Sequence, residues 1–264
     1  MTRIALGLEY DGSSFNGWQA QPHGNTVQDA LERALAAVAG EPVRVSCAGR
    51  TDSGVHALAQ VVHFDTAAPR PLTAWVRGAN AHLPAPIAVR WSREVPVEFH
   101  ARYSARSRSY RYLLHNHPVR PALHHGKHGW CHQPLEVDLM NQAALCLLGE
   151  HDFSAFRAAE CQAKSPLKTM HRAEILRYGD LVVFEFCASA FLQHMVRNLV
   201  AALVAVGKGR CPPQWLAALL AGRDRTSGAP TFAAAGLYFA GVEYEAHWCL
   251  PQAGRIIAPV MATG

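Results

Sequence analysis

The densest group of reactive side chains in this sequence is the glycine-rich segment from Gly49 to His56. It reads Gly-Arg-Thr-Asp-Ser-Gly-Val-His, so the carboxylate of Asp52 stands among a guanidinium and two hydroxyls. Because glycine permits sharp turns, such a loop is able to present an ionised aspartate as a nucleophile or a base. The alternative is an Asx turn in which Asp52 only caps its own backbone, and the spacing alone favours that alternative.

A second group combines cationic and aromatic side chains between residues 102 and 112, where four arginines and three tyrosines occur without an acid. In a strand, alternation places four of them on one face: Arg106, Arg108, Tyr110 and Tyr112. Guanidinium groups bind phosphates through paired hydrogen bonds, and tyrosine rings stack on bases. An exposed edge strand kept soluble by arginine explains the pattern equally well. Alternation does not decide which tyrosine would contact a base.

A third group lies on a segment with helical periodicity, residues 191–206. Its apolar stripe faces away from four polar side chains, namely Gln193, His194, Arg197 and Asn198. The pattern favours a solvated helix face, although the small side chain of Ala201 leaves room for a ligand to approach Arg197.

Histidines are concentrated between residues 115 and 132, and three of them, His124, His128 and His132, have helical spacing. Gly126 and Gly129 interrupt that spacing, and the sequence has no H-E-x-x-H motif, so a surface loop is favoured over a metal site. Neither a phosphate-binding G-x-x-x-x-G-K-[ST] nor a hydrolase G-x-S-x-G motif is present.

Composition sets the context for these groups. The chain has 264 residues, half of them hydrophobic, with 25 Lys and Arg against 20 Asp and Glu and a formal net charge of +5. General disorder is excluded, and no apolar run approaches the roughly 20 residues that span a bilayer. The N-terminus has no signal-peptide pattern, and the seven cysteines form no C-x-x-C pair. We therefore expect a soluble, cytoplasmic protein with reduced thiols and no membrane partner.

The elements that must position these groups follow one order twice. In the first part, strands are predicted at 4–10, 43–47, 59–64 and 87–95, and helices at 27–39 and 72–83. In the second part, strands are predicted at 107–115, 172–178, 181–187 and 236–244, and helices at 136–148, 191–206 and 213–221.

This repeated β-α-β-β-α-β order predicts an α+β fold of two ferredoxin-like (RRM-like) halves, with mostly antiparallel sheets and a catalytic cleft between them. We predict an N-terminal half over residues 1–105, a C-terminal half over 106–250 and a peripheral tail over 251–264.

The run from Cys47 to Ala57, preceded by Glu9-Tyr10-Asp11-Gly12 and Gly17-Trp18-Gln19, resembles the tRNA pseudouridine synthases of the TruA type. Four later motifs continue the resemblance in order: Phe99-His100-Ala101-Arg102, Tyr110-Arg111-Tyr112, the run from Leu148 to Phe153, and His194-Met195-Val196-Arg197-Asn198. The resemblance covers about residues 3 to 245.

This resemblance implies isomerisation of uridine to pseudouridine at positions 38 to 40 of the tRNA anticodon stem-loop. It implies that Asp52 is the catalytic aspartate, that Tyr110 stacks on the target uracil, and that Arg197 pairs with the aspartate. Arg50 is implied to hold the flipped nucleotide, and Arg106 and Arg108 are added from the arginine-rich strand as substrate-binding residues. The family's enzymes are cytoplasmic homodimers that bind tRNA and use no metal or organic cofactor.

Two other functions are compatible with parts of the sequence. A non-catalytic RNA-binding protein of two RRM-like halves would use the arginine-rich strand, but it leaves Asp52 and Arg197 without a role. A metal-dependent hydrolase would use the histidine-rich stretch, although the ligand spacing that it requires is missing.

Overall fold

The computed structural model describes residues 1–22 and 24–251, and these form two compact units. The first unit contains Met1–Ser107 and the described residues from Tyr238 onward, and the second contains Arg108–Leu237. Most of the last strand therefore belongs to the first unit, whereas the sequence prediction assigned it to the C-terminal half. The reason is its pairing with a strand of the first unit, described below, and the full burial of Phe239. From residue 252 on, the predicted tail lies outside the described residues.

The first unit begins with the predicted order of elements. These are β1 (Thr2–Tyr10), α1 (Val27–Ala39), β2 (Ser46–Cys47), β3 (His56–Thr66), α2 (Leu72–His82) and β4 (Ile87–Val95). Strand β1 lies between β3 and β4 and is antiparallel to both, and β2 pairs antiparallel with β3. The last strand, β10 (Leu237–Tyr244), runs parallel to β3 with Tyr238 opposite His56.

Local sequence signals explain where α1 begins and ends. The Thr26 hydroxyl accepts the backbone N–H of Asp29 at 3.2 Å and donates to its carboxylate at 2.6 Å, which caps the start of the helix. At the other end, Gly40 adopts a left-handed conformation with φ of 78°. Helices α1 and α2 pack together, and Trp75 of α2 meets Phe64 of β3 edge to face at 5.1 Å. These contacts form the core of the first unit.

Over Arg108–Leu237, the second unit is built from three α-helices and five strands. They are β5 (Ala105–Asn116, from Arg108 on), β6 (Gly129–Cys131), α3 (Val137–Ala144), β7 (Gly149–Asp152), β8 (Leu167–Tyr178), β9 (Leu181–Ala188), α4 (Met195–Gly207) and α5 (Gln214–Gly222). Strand β9 is antiparallel to β5 and β8, β8 is antiparallel to β7, and β6 is parallel to β5. Helix α3 packs against β8, α4 and α5.

Several elements of the second unit differ from the sequence prediction, and β8 begins at Leu167 and not at residue 172. Helix α4 begins at Met195 and not at residue 191, because His194 has a left-handed backbone with φ of 61°. Helix α3 ends at Ala144 and continues as a short 3-10 turn, so Gly149 begins the short strand β7 and does not end a helix. Strand β6 lies within a predicted loop.

The described part of the chain is thus a mixed α/β fold with five α-helices. None of these helices is long and apolar enough to cross a membrane.

Candidate active site

Asp52 lies in a tight turn of the first unit, between β2 and β3, and its side chain is partly exposed. The turn is closed by the backbone, because the N–H of Val55 donates to the carbonyl oxygen of Asp52 at 3.1 Å. Gly54 has a φ of 75°, a conformation that glycine adopts without strain. The Ser53 hydroxyl donates to the carbonyl of Phe15 at 3.2 Å, which ties the turn to the loop after β1.

Thr51, the residue before Asp52, is held in place by hydrogen bonds of its side chain and its backbone. The Thr51 side chain is buried, and its hydroxyl lies 2.8 Å from the hydroxyl of Tyr10. The Thr51 carbonyl accepts the N–H of Trp18 at 2.9 Å. Gly17 permits this approach, because a Cβ built on it would lie 2.8 Å from the Thr51 carbonyl oxygen. Burial raises the pKa of the Tyr10 phenol above its ordinary value.

At the C-terminal end of the Gly49–His56 segment, His56 is almost fully buried and holds the backbone in place. Its Nδ1 lies 3.1 Å from the N–H of Gly12 and 3.0 Å from the Asp11 carboxylate, and its ring stacks on Tyr238 with centroids 4.6 Å apart. Gly12 packs directly against the backbone of Val55, since an added Cβ would lie 1.9 Å from the Val55 carbonyl oxygen. The run Asp11-Gly12 is therefore a structural support of the Asp52 turn.

At the N-terminal end of the Gly49–His56 segment, the buried side-chain amide of Gln60 holds the backbone of Gly49. Gln60 of β3 donates to the carbonyl of Gly49 at 2.6 Å and accepts its N–H at 3.3 Å. The neighbouring Arg50 is exposed. Burial raises the pKa of the Cys47 thiol to about 12, and the positive charges of Arg50 and Arg102 act in the opposite direction.

In the second unit, Tyr110 lies on β5 opposite Phe186 of β9. Its ring is partly exposed and meets Phe191 edge to face, with centroids 4.9 Å apart. Tyr112 is fully buried and its hydroxyl donates to the Ala233 carbonyl at 2.9 Å, so it is not available to stack on a base. The structure thus separates two tyrosines that alternation alone treats alike.

Arg197 lies in the first turn of α4, partly buried, and its Nε donates to the Phe232 carbonyl at 2.7 Å. Its neighbour Asn198 is buried, although the helical pattern placed both on a solvated face. The Asn198 amide donates to the Phe156 carbonyl at 2.8 Å. Its oxygen accepts from Thr231 at 2.8 Å and from Arg225 at 3.1 Å. The solvated face is therefore wrong for Asn198, because these partners surround it.

The two predicted phosphate-binding arginines differ in their surroundings. Arg106 is exposed, belongs to the first unit and forms an ion pair with Glu245. Arg108 belongs to the second unit and donates to the Ser189 carbonyl at 3.0 Å. The first unit thus carries Asp52, Arg50 and Arg106, and the second carries Tyr110, Arg108 and Arg197.

The histidine-rich stretch forms ring contacts. His124 stacks on His128 with centroids 4.4 Å apart, and the buried Nδ1 of His128 has no hydrogen-bond partner among the described residues. Burial and the neighbouring His124 and His115 lower the pKa of His128 to about 4. Across residues 1–22 and 24–251, no three His, Cys, Asp or Glu side chains are grouped as metal ligands.

Sequence reasoning did not identify the supporting residues Tyr10, Gln60 and Asn198. Gln60 carried a usable signal, because it is one of two polar residues, with His63, in the otherwise apolar run Ala59–Phe64 of a predicted strand. Asn198 carried none, since a polar residue beside an arginine on a helix is ordinarily solvated.

Comparison with known proteins gives consistent similarities. A family model described as tRNA pseudouridine synthase matches residues 8–104 and 143–245. The chain is 63% identical to tRNA pseudouridine synthase A of Dechloromonas aromatica over 95% of both chains. It is 62% identical to tRNA pseudouridine synthase A of Aromatoleum aromaticum over 97% of both. A chain in the crystal structure of the archaeal box H/ACA sRNP Nop10-Cbf5 complex gives a TM-score of 0.35 at 12% identity, covering 76% of this chain and 44% of that one.

Proposed function

Since the chain belongs to the tRNA pseudouridine synthase family and is an isomerase of tRNA uridines, we propose that it converts uridines 38, 39 and 40 of the anticodon stem-loop. The observation that carries the proposal is the Asp52 turn. Its neighbours Thr51, His56 and Gly49 are anchored by buried side chains, while the aspartate itself is partly exposed. A carboxylate presented on a rigid support is the arrangement that a catalytic residue requires.

The reaction begins with extrusion of the target nucleotide. A uridine in a stem must leave its stack before its C5 is reached, which costs a few kcal/mol. Arg50 is exposed beside the Asp52 turn, and we assign its guanidinium to the space that the nucleotide vacates. This contact offsets part of the unstacking free energy.

The chemical step exchanges one glycosidic bond for another. The N1–C1′ bond breaks, the uracil rotates, and a C5–C1′ bond forms, while C5 loses a proton and N1 gains one. Asp52 starts the sequence by attacking C1′, by attacking C6 or by removing a sugar proton, and each of these roles requires the ionised carboxylate. The exchange involves no net oxidation and no hydrolysis.

We assign the stacking role to Tyr110 and the partner of the aspartate to Arg197. The partly exposed Tyr110 ring is held at its edge by Phe191, which supports its use as a platform for the detached uracil. The bond from Arg197 Nε to the Phe232 carbonyl fixes the plane of its guanidinium, a group suited to pairing with a carboxylate. Arg106 and Arg108 are assigned to phosphate contacts.

The family resemblance also supports three statements about the whole enzyme. We propose that the two units are ferredoxin-like halves with mostly antiparallel sheets and the catalytic cleft between them. We further propose that the enzyme is a homodimer and that it acts in the cytoplasm on tRNA, without a metal or organic cofactor.

The proposal is tested with Asp52→Asn, which removes the charge and keeps the shape. We expect tRNA binding at least as tight as that of the wild type, and pseudouridine formation reduced by roughly a thousandfold or more. Tritium release from C5-labelled uridine in tRNA measures turnover. Glu94→Gln, which removes an exposed carboxylate elsewhere in the first unit, is the control and should keep full turnover.

Retained turnover in Asp52→Asn would contradict the catalytic role. If the wild type binds tRNA but releases no tritium, the non-catalytic RNA-binding function is favoured instead. Mapping pseudouridines in tRNA from a deletion strain tests the sites, and loss at positions other than 38 to 40 would contradict the assigned targets.

A further inference from the structure

One exposed aromatic residue of the first unit has no part in the chemistry above. Tyr103 is 75% exposed. Its ring lies against that of His100, with centroids 4.3 Å apart and planes inclined by 36°. The guanidinium carbon of Arg102 lies 5.5 Å from the centre of the same ring. Aromatic rings combined with arginine are the usual binding surface for unpaired bases.

The short turn that carries Tyr103 is rigid. Nδ1 of His100 accepts the backbone N–H groups of Arg102 at 3.1 Å and Tyr103 at 3.4 Å. The His100 carbonyl accepts the N–H of Ser104 at 2.9 Å, and the Ser104 hydroxyl accepts the N–H of His100 at 3.0 Å. The turn is therefore closed by four hydrogen bonds over five residues, 100–104.

The same turn is fixed to the body of the unit. Ala101 is buried; its N–H donates to His63 Nδ1 at 3.2 Å, and its carbonyl accepts the Tyr244 hydroxyl at 2.6 Å. Phe99 is fully buried and packs against Tyr244 with centroids 5.2 Å apart. Because the support is already ordered, binding a base on Tyr103 would lose little conformational entropy.

The position and charge of this surface favour RNA over protein as its partner. The turn contacts His63 of β3, whose register partner is Ser46 of β2, the strand that leads into the Asp52 segment. Arg102 in this turn is exposed, and no acidic residue occurs between residues 100 and 107 of the same unit. A phosphate backbone is attracted to such a surface.

We propose that Tyr103, with His100 and Arg102, forms a stacking platform for an unpaired nucleotide of the tRNA, beside the target uridine. The inference rests on the proposed function, since it takes tRNA as the substrate. The platform binds the RNA and takes no part in the bond exchange, so it contributes to substrate affinity and to the choice of the neighbouring nucleotide.

The test compares Tyr103→Ala with Tyr103→Phe, which keeps the ring and removes the hydroxyl. We expect the alanine variant to bind an anticodon stem-loop RNA about tenfold more weakly, in line with the loss of one stacked base, and the phenylalanine variant to bind like the wild type. KM for tRNA should rise in parallel in Tyr103→Ala, with a smaller change in kcat. Tyr178→Ala, at an exposed tyrosine of β8, is the matched control and should leave affinity unchanged.

A second measurement locates the contact. Stem-loop RNAs carrying 2-aminopurine at one loop position at a time should show fluorescence quenching by the wild type at a position near the target. This quenching should be absent in Tyr103→Ala.

Three outcomes would overturn the proposal: unchanged affinity in Tyr103→Ala, an equal loss in Tyr103→Phe, or a changed oligomeric state in Tyr103→Ala, which would assign the ring to a protein interface. Failure of the proposed function has a different signature, since the wild type would then form no pseudouridine at all.

Discussion

Single buried polar residues do much of the positioning in this molecule. Thr51, His56 and Gln60 are all buried in the first unit, and each has a hydrogen-bond partner on a neighbouring loop or strand. Buried polar groups are costly unless they are paired, so each of them selects one backbone arrangement over the alternatives. The rigidity of the Asp52 turn follows from these pairings and not from its glycines.

His63 extends this reasoning to a dependence on pH. It is buried and its Nδ1 accepts the N–H of Ala101, an interaction that requires an unprotonated nitrogen. Burial, followed by the nearby His100 and Arg3, lowers its pKa to about 4 from 6.5. The unfolded chain therefore binds this proton first as the pH falls, so stability is lost as the pH drops from 6.5 through 4.

We expect this residue alone to reduce the free energy of unfolding by about 2 kcal/mol between pH 8 and pH 5. His63→Asn keeps an acceptor near the Ala101 N–H and removes the titration. Urea unfolding at pH 8, 6.5 and 5 should show a smaller decrease for the variant than for the wild type. Other titrating groups, such as His128, are present in both proteins and cancel in the comparison. Equal decreases in the two proteins would show that His63 has no part in acid sensitivity.

At the scale of elements, helix α4 depends on contacts distant in sequence. Asn198 joins its first turn to the Phe156 carbonyl and to the Arg225 and Thr231 side chains. Thr231 directly precedes Phe232, whose carbonyl accepts the Nε of Arg197. The network therefore holds the carbonyl that orients Arg197, the residue proposed to pair with Asp52.

Asn198→Leu should separate positioning from stability. We expect a loss of about 2–4 kcal/mol in unfolding free energy, because buried partners lose their hydrogen bonds. Turnover should also fall about tenfold at a nearly unchanged affinity for tRNA, which corresponds to about 1.4 kcal/mol of transition-state stabilisation.

The control is Asn141→Leu. Asn141 joins α3 to β8 through paired hydrogen bonds with Ile175 at 2.8 and 2.9 Å. This variant should lose stability to a similar extent and keep kcat at a temperature where both variants are folded. A parallel loss of kcat in both variants would assign Asn198 a purely structural role.

The elements that the sequence predicted well are those whose ends depend on local signals. The Thr26 cap and Gly40 bound α1, Gly179 and Asp180 separate β8 from β9, and β4 has the predicted bounds. The start of α4 was wrong because the residues before it bond elsewhere: the Gln193 carbonyl accepts the N–H of Ala158 at 3.0 Å. Strand β6 was missed because only its pairing with β5 makes it a strand.

In the candidate site, too, some residues are evident from local sequence and others depend on contacts made only in the folded chain. Asp52 and Arg50 are evident because a short segment concentrates their chemistry between glycines. The preference for Tyr110 over Tyr112 could not come from alternation, since it depends on which ring the Ala233 segment covers. Tyr103 was part of the same arginine-rich run, but its exposure and its contact with His100 are properties of the folded turn.

At the scale of the whole molecule, the net charge of +5 is small for a protein that binds a polyanion, so its distribution matters more than its size. Arg50, Arg102 and Arg106 all belong to the first unit, but their surroundings differ. Arg106 already forms an ion pair with Glu245. Arg50 is exposed beside the Asp52 turn, and the guanidinium carbon of Arg102 lies 5.5 Å from the centre of the Tyr103 ring. Their contributions to RNA binding should therefore be unequal.

We expect tRNA affinity to fall about a hundredfold between 50 and 200 mM salt, as for roughly four phosphate contacts. Arg50→Gln should reduce the slope of log K against log salt by about one, because it removes one full positive charge beside the bound RNA. Arg106→Gln should reduce the slope by less, since Glu245 already neutralises part of that charge. Glu245→Gln is the complementary variant and should steepen the slope, because it releases Arg106 for phosphate. Equal slopes for the wild type and all three variants, or an affinity independent of salt, would contradict a tRNA surface centred on these arginines.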